Sequence, residues 1–572
     1  MDRSIETPVL IVGAGPVGLT LAMDLASRGI DVTMAETRRA GEPPNVKCNQ
    51  VSARSMEIFR RLGLAEKIRA TGLPAEYRND VSCCVTAAGM ELSRIKLPSR
   101  AGRACGEQGD DSWWPTPEPP HRINQLFLEP VLFAHAAAQP RIRILNRTQF
   151  EELSQDRQGV TAVAQNLDNG ERVSIRCRYL VGCDGGRSTV RHAIGARMSG
   201  IAEYQRVQST HFRAPKLISL LPGPQAWMYL AFNPRRCGTV MAIDGKETWL
   251  IHNFLYNDEP DYDSIDRDWA IRQILGVGPE FEYQVISKED WIGRRLVADR
   301  FHNGRAFIAG DAAHLWIPHA GYGMNAGIAD AANLSWMLAA VLNGWAAPAI
   351  LEAYQAERQP ITDQVSRFAF SMAKNVSQQR REVSPDIERQ DEIGEATRSA
   401  LGREAYDLYI QQQCCGGLNF GYFYADSPII AYDGAAHPVY SMGRFESSSV
   451  PGCRAPHLWL DGHRSLYDAC GDDFALLRLD PCAPMSGIVD AAARRGVPLK
   501  VVEVDARHAQ SLYAHKLLLL RPDRHVAWRG DAEPSDPDEL IDLVRGARNV
   551  PAKAEVRSRS GSDERSAAPS SV

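Results

Sequence analysis

The 572-residue chain predicts an α/β protein. A parallel, Rossmann-like sheet is interrupted by an antiparallel β-sheet domain, then followed by a helical region and a small C-terminal α/β domain. Three observations predict this. Near the N-terminus an apolar strand runs through a glycine-rich turn into a helix, the pattern that opens a parallel βαβ sheet. Aromatic and β-branched residues alternate from about 203 to 290, the period of half-buried strands. Strand and helix patterns alternate again over 451–546.

The elements follow in order. Val9-Leu10-Ile11-Val12 is a short apolar strand entered after Pro8, where a missing ladder donor is tolerated. Gly13-Ala14-Gly15-Pro16-Val17-Gly18 is the turn, and Leu19 to Arg28 has helical spacing and stops at Gly29. Asp31 to Glu36 is the second strand. Met56, Phe59 and Leu62 share one helical face, ended by Gly63. Residues 101–120 are glycine-rich and then carry Trp113-Trp114-Pro115, Pro117, Pro119 and Pro120, which reads as an excursion. A helix covers 124–138 with Pro130 as a kink, and 141–182 reads as antiparallel strands around Asp168-Asn169-Gly170. Trp227 to Phe232, Gly238 to Ile243 and Thr248 to His252 form a meander. Phe307-Ile308-Ala309 is a buried strand before a helical region running from Gly323 to about 380. The small domain reads as strand 475–479, helix 488–495, strand 499–504, a hairpin around Pro522-Asp523 and a helix capped at Asp536-Pro537.

The expected organisation is a discontinuous first domain, 1–200 and 291–380, holding an inserted sheet domain, 201–290, with contributions from 75–120. Residues 381–450 form an irregular connection, 451–546 the small domain and 547–572 a disordered tail rich in Ser, Ala, Arg and Glu.

Composition removes several function classes. The chain is 44% hydrophobic and 24% charged with a net charge of −5, ordinary for a globular protein and without the basic excess of a nucleic-acid binder. Pairs such as Arg235-Arg236 and Arg380-Arg381 are too short to change that. No run reaches the ~18 apolar residues of a membrane span, and the N-terminus lacks the features of a secretory signal, so a cytoplasmic protein is expected. The twelve cysteines include neither CxxC nor zinc spacing, so reduced thiols and no metal site are expected.

Chemistry concentrates in three motifs. Gly13-x-Gly15-x-x-Gly18 permits a tight turn, close approach to a pyrophosphate and close helix–strand packing, with the helix N-terminus facing the anion. Glu36, roughly twenty residues on at the end of the second strand, is placed to hold ribose hydroxyls. The second motif is Leu180-Val181-Gly182-Cys183-Asp184-Gly185-Gly186-Arg187-Ser188. The third runs from Arg305 through Gly310-Asp311 to His314, then Pro318 and Gly321-Tyr322-Gly323-Met324-Asn325. An aspartate ending a buried strand accepts hydrogen bonds from a polyol, and a glycine-flanked helix start offers free N–H groups to negative charge. Taken singly, each aspartate is equally a turn or cap residue.

Together these motifs resemble the class A flavoprotein monooxygenases, or aromatic hydroxylases. The resemblance covers residues 1 to about 380. The region from Pro451-Gly452 through Ala527-Trp528-Arg529-Gly530 resembles the thioredoxin-like C-terminal domain of the phenol-hydroxylase branch. The resemblance implies FAD as cofactor, with Gly13, Gly15, Gly18 and Glu36 on its ADP half and Gln125 near the flavin. Asp184 would serve FAD and NAD(P)H, Gly310-Asp311 the ribityl chain, and Pro318, Gly323, Met324 and Asn325 the isoalloxazine. Lys47 and Arg54 fall where the family places cationic contacts. Ala320 and Tyr322 depart from the family's usual glycine and glutamine, and the larger tyrosine puts the flavin-side wall in question. With no second nucleotide turn, NADPH or NADH is expected to bind transiently as co-substrate.

The reaction implied is hydroxylation of a phenolic ring by O2 through a flavin C4a-hydroperoxide, with a base to ionise the phenol. His211, Tyr229 and His252 on the predicted sheet and His319 after Pro318 are the candidates, although a lone histidine or tyrosine on a strand is more often structural. Trp113, Trp114, Trp227 and Trp249 are candidates for an aromatic pocket or equally for core. Two alternatives stand beside this reading. One is a Baeyer–Villiger or epoxidising enzyme on a polyketide-like substrate, the other a non-oxygenating flavin-binding redox protein. For the small domain a structural or homodimer-contact role is expected.

Overall fold

The structure, a computed structural model, describes residues 3–548 apart from 48, 257, 506–508, 510 and 511. The expected disordered tail lies outside the described residues from 549 on. Among the described residues no helix is long and apolar enough to cross a membrane.

The first sheet is built on the glycine-turn strand. Arg3–Val12 pairs in parallel with Val32–Glu36 on one side and Arg172–Gly182 on the other. Ile142–Asn146 extends the sheet beyond Val32–Glu36, and Ala306–Ile308 lies parallel to Arg172–Gly182. Where they meet, at residues 9–12, 32–36, 179–182 and 306–308, these strands are continuously buried and largely apolar, as strands covered on both faces must be. A hairpin, Thr148–Gln155 with Val160–Asn166, continues the sheet from the far part of Arg172–Gly182. Register brings the motifs together: Val12 lies opposite Gly182, and Gly182 opposite Ile308. The carboxyl ends of three strands far apart in sequence therefore open onto one crevice, where open α/β sheets bind ligands.

The second sheet is largely antiparallel and centred on the 16-residue strand Met198–Arg213. Thr248–Phe254, Gly238–Ala242 and Met228–Ala231 follow it in order, and Val81–Cys84 with Glu91–Ile95 complete that side. The 75–120 stretch thus supplies two strands to this sheet, both ahead of the excursion at 101–120. Trp291–Ala298 and His314–Trp316 extend the other side, so the sheet runs past the expected limits of 201–290. Side chains alternate across it. Tyr229, Val240, Trp249 and Ile251 enter a hydrophobic core, while their neighbours Met228, Met241, Leu250 and His252 face the first domain.

One expectation fails here. Residues 381–450 are not simply an irregular connection: Glu392–Gln413 is a 22-residue helix, capped by Asp391, whose carboxylate accepts from the Gly394 amide. Its apolar positions, Leu401, Ala405, Leu408 and Tyr409, are too sparse to stand out in a polar stretch, yet they pack on the second sheet.

The C-terminal elements stand where pattern predicts. Phe474–Arg478, Leu499–Glu503, Leu517–Leu520 and Val526–Gly530 form a four-stranded sheet with Leu499–Glu503 at one edge and Val526–Gly530 at the other. Helices Ser486–Arg494 and Pro537–Val544 pack against it. Buried ion pairs dock this unit. Arg521 binds Glu357 through both carboxylate oxygens, and Arg454 reaches Glu57 at 2.5 Å.

Candidate active site

The glycine turn is shaped by contact with its neighbours. Gly13 has φ +101°, and a Cβ there would sit 2.4 Å from the Cys183 carbonyl oxygen; one on Gly18 would sit 2.1 Å from that of Gly13. Gly15 differs, because a Cβ built on it meets no protein atom within 4 Å. The first and third glycines are therefore required by packing and the middle one faces open space. That space is a cavity of about 470 Å³ whose lining includes Gly13, Gly15, Glu36, Lys47, Gln125 and Asp184.

Glu36 is held by the turn it serves. Its Oε2 accepts from the Ala14 amide at 2.6 Å and its Oε1 from the Arg38 amide at 2.9 Å. Burial raises its pKa, but the hydrogen bonds and charge of Arg38 outweigh that and leave it lowered. Arg38 and Glu129, which sequence reasoning did not single out, pair at 2.5 Å and border the same cavity. Glu129 was detectable: it lies one helical turn after Gln125, whose side-chain amide donates to it at 2.8 Å.

A second cavity, of about 360 Å³, lies between the sheets. Lys47 lines both cavities, so the two are neighbours. Asp311, Pro318, Gly323 and Met324 line the second, as do Trp227, Met228, Leu230, Met241, Leu250, Phe254 and Trp291. Gly310 takes φ +61°, where a Cβ would press on Val17 at 3.0 Å. Its amide donates to Asp330, whose carboxylate also binds His314 at 2.7 Å and Arg358 at 2.8 Å. Burial raises the Asp330 pKa, but His314 and Arg358 hold it below the usual carboxylate range, so an ionised group anchors the turn carrying Asp311. No side chain caps the helix Gly323–Leu342, which leaves its first amides free for a ligand.

Several residues take positions other than those expected. Asn325 is 1% exposed and lies behind the cavity wall, accepting from the Ser52 amide and donating to the carbonyls of Gln50 and Gly321. Its side chain fixes the 50–52 segment. Arg54 lines neither cavity: its guanidinium binds Glu57 at 3.0 Å and the Asp523 carbonyl at 2.5 Å, at the docked C-terminal domain. Tyr229 faces the opposite side of the sheet, where its hydroxyl accepts from the Ala226 amide; burial pushes its phenol up to about 12. His211 is in register with Leu250 on the cavity side but outside the lining. Tyr322 turns away from the cavity and donates to the Leu418 carbonyl at 2.8 Å, so its bulk enters core instead of the flavin-side wall. Of the tryptophans, Trp227 lines the cavity, Trp114 and Trp249 are core and Trp113 is exposed.

His252 and His319 do line the second cavity. Burial, reinforced by the Arg380 charge, pushes His252 down to about 3. Burial likewise takes His319 to about 4, against the hydrogen bond its Nδ1 shares with Gln412 at 3.0 Å. Both imidazoles are neutral at pH 7. Tyr409, Gln412 and Gln413, from the unanticipated helix, close the cavity, and Arg380 completes it.

The residues present fit FAD. The open space at Gly15, the carboxylate at the second strand end and the uncapped helix beside Asp311 are the contacts an extended dinucleotide with a polyol link requires. Comparison with known proteins agrees. Residues 6–369 match the family model described as FAD binding domain, and 448–547 match that of the aromatic-ring hydroxylase C-terminal region. The chain is similar to phenol 2-monooxygenase of Pseudomonas sp. (strain EST1001), at 30% identity over 97% of this chain and 94% of that one. It is also similar to tetracenomycin B2 monooxygenase-dioxygenase of Streptomyces olivaceus, at 31% over 95% and 98%. Among solved structures, RebC with bound 7-carboxy-K252c superposes with a TM-score of 0.86 at 33% identity, covering 96% of this chain and all of that one. Fold, glycine turn and both aspartate motifs converge with these matches, and the chain belongs to the class A flavoprotein hydroxylases, FAD-dependent monooxygenases of aromatic rings.

Proposed function

We propose that this enzyme hydroxylates a phenolic aromatic substrate, with electrons from NADPH or NADH and one atom of O2. The observation that carries the reading is the adjacency of the two cavities through Lys47. The dinucleotide groove leads into a chamber with an aromatic and aliphatic wall on the sheet side and polar groups such as His252, His319, Arg380, Gln412 and Gln413 around it. FAD would be held by Gly13, Gly15, Glu36 and Asp184 at its adenosine half, with Gly18 packing the turn beneath them, and by Gln125, Lys47, Gly310, Asp311, Pro318, Gly323 and Met324 towards the ring system. When bound, FAD supplies hydride acceptance from reduced nicotinamide and transfer of one oxygen atom to the substrate.

The protein's own part is to orient the ring, exclude water and favour phenol ionisation. Trp227, Leu230, Met241, Leu250, Phe254 and Trp291 offer flat apolar contact and keep water out. A base with a pKa near 3 or 4 is a poor acceptor for a phenol proton, so His252 and His319 serve as neutral hydrogen-bond partners. The Arg380 charge favours the phenolate instead. His211 and Tyr229 take no part.

The test is turnover. The purified yellow protein is assayed for NADPH and NADH oxidation with a panel of mono- and polycyclic phenols, while O2 uptake, H2O2 and product mass are followed. A phenol that accelerates oxidation and gains one oxygen supports the reading. Bound FAD with no stimulation across the panel overturns it, and a product of ring insertion points to Baeyer–Villiger chemistry. For the C-terminal domain we propose a thioredoxin-like fold. The support is its strand order, with a parallel pair extended by an antiparallel pair.

A further inference from the structure

The monooxygenase reading leaves open what kind of aromatic molecule the chamber takes, and Arg380 bears on this. It lies in the last turn of the 30-residue helix Glu352–Arg381 and is 6% exposed, yet it lines the chamber. Among the described residues no carboxylate forms an ion pair with it, whereas nearby Arg235 and Arg236 pair with Glu388 and Glu259. Its Nη2 reaches the Thr239 hydroxyl at 3.5 Å, the limit of a hydrogen bond, and its guanidinium lies 3.6 Å from the Phe254 ring centre. A buried guanidinium whose side-chain partners are the neutral hydroxyls of Thr239 and Tyr409 is costly unless something else supplies the negative charge.

A second buried guanidinium backs the same chamber. Arg122 is 3% exposed, lies 4.1 Å over Trp227 and donates to Gln413 at 3.2 Å, both of them lining residues. Its Nη1 has no partner. The other charged lining groups are Lys47, Glu289 at a half-buried position and Asp311 in the flavin region. The titratable groups around Arg380 on the chamber side are His252, His319, Tyr409, Cys237 and Tyr256, all neutral at pH 7. On the outer side Asp258 and Arg381 share an open pocket with it, but Asp258 is exposed and makes no ion pair with it. The guanidinium fork matches a planar oxyanion.

We infer that the chamber takes an aromatic substrate bearing an ionised ring carboxylate as well as its phenol, and that Arg380 receives that carboxylate. This rests on the hydroxylase reading, but its test need not involve turnover. The FAD-loaded enzyme is titrated with a hydroxynaphthoic acid, its methyl ester and the parent naphthol, and dissociation constants are read from perturbation of the flavin absorbance. A charge-assisted contact is expected to make the acid bind about 100-fold tighter than the ester. In R380Q the ratio falls to about threefold or less, and R380K restores part of it. FAD content and melting temperature confirm that the variants fold; should R380Q not fold, the acid-to-ester ratio of the native enzyme and of R380K decides alone.

Acid and ester binding alike, with ester and naphthol tightening as pH rises through the phenol pKa, overturns the inference and leaves the phenolate as the anion that Arg380 meets. Equal affinity for all three ligands at every pH, with no effect of either variant, overturns the inference. Arg380-dependent binding without oxygenation of any ligand leaves the inference standing and overturns the hydroxylase reading. Oxygenation of all three without discrimination does the reverse.

Discussion

Gly15 separates what the fold needs from what the ligand needs. Gly13 and Gly18 have no room for a side chain because protein backbone occupies it, whereas the space beside Gly15 holds no protein atom within 4 Å. Gly13→Ala adds strain of about 1–3 kcal/mol on top of the overlap with Cys183, and is expected to lower the melting temperature of the apoprotein itself. Gly15→Ala leaves the apoprotein melting temperature within about one degree of the native value but weakens FAD by at least ~1.4 kcal/mol, tenfold in Kd. Thermal melts of both apoproteins with flavin titration check the pair; equal behaviour of the two variants would contradict the division. Asp330 makes a different kind of residue-scale prediction. Asp330→Asn leaves the fully buried Arg358 without its charge partner and loosens the Gly310 amide. A loss of about 3 kcal/mol or more in stability, with reduced FAD retention, is expected from thermal and spin-column measurements.

At the scale of elements, the strand–turn–helix opening was legible because its signals are local: apolar run, glycine spacing, helix stop and a terminal carboxylate lie within 36 residues. That Asp184 and Asp311 join it depends on the pairing of Val12 with Gly182 and of Gly182 with Ile308, which no local pattern encodes. The family resemblance supplied that step. Lys47 and Arg54 show the limit of such a step: both are cations in the right stretch, but only Lys47 points into the crevice, because Arg54 lies on the helix face that meets Asp523. His211, Tyr229 and His252 were indistinguishable in sequence because strand alternation fixes a face only once register is known. The helix Glu392–Gln413 was missed because its apolar stripe is thin, though Asp391 marked its start. That cap carries a prediction of its own. Asp391→Ala removes the acceptor of the Gly394 amide and so loosens the first turn of the helix. Hydrogen exchange over 392–396 is then expected to quicken about fivefold, with no change over the helix Gly323–Leu342.

Across the whole molecule, the sheets and the docked C-terminal domain enclose histidines that the fold keeps neutral. His121 and His457 are 7% and 6% exposed, and burial takes each from the ordinary 6.5 down to about 4. The consequence for acid stability follows by linkage. Above pH 6.5 both are neutral folded or unfolded and contribute no pH dependence. As pH falls from 6.5 towards 4, the unfolded chain takes up protons that the folded chain refuses, so each histidine removes up to ~1.4 kcal/mol per pH unit. The loss is complete only when the folded groups protonate near pH 4. Below that, carboxylates such as Glu57, which Arg454 and Arg54 hold low against burial, add their own acid lability at the domain contact. The melting temperature of the FAD-saturated enzyme is thus expected to be flat from pH 7 to 8 and to fall steadily from pH 6.5 to 4.5. His457→Gln, which retains a donor for the Ser465 hydroxyl that His457 now meets at 3.0 Å, removes one of these protons, beside those of His121, His252 and His319, and makes the fall shallower. Unchanged steepness in that variant would place the acid sensitivity in the other buried histidines and the carboxylates of the domain contact instead.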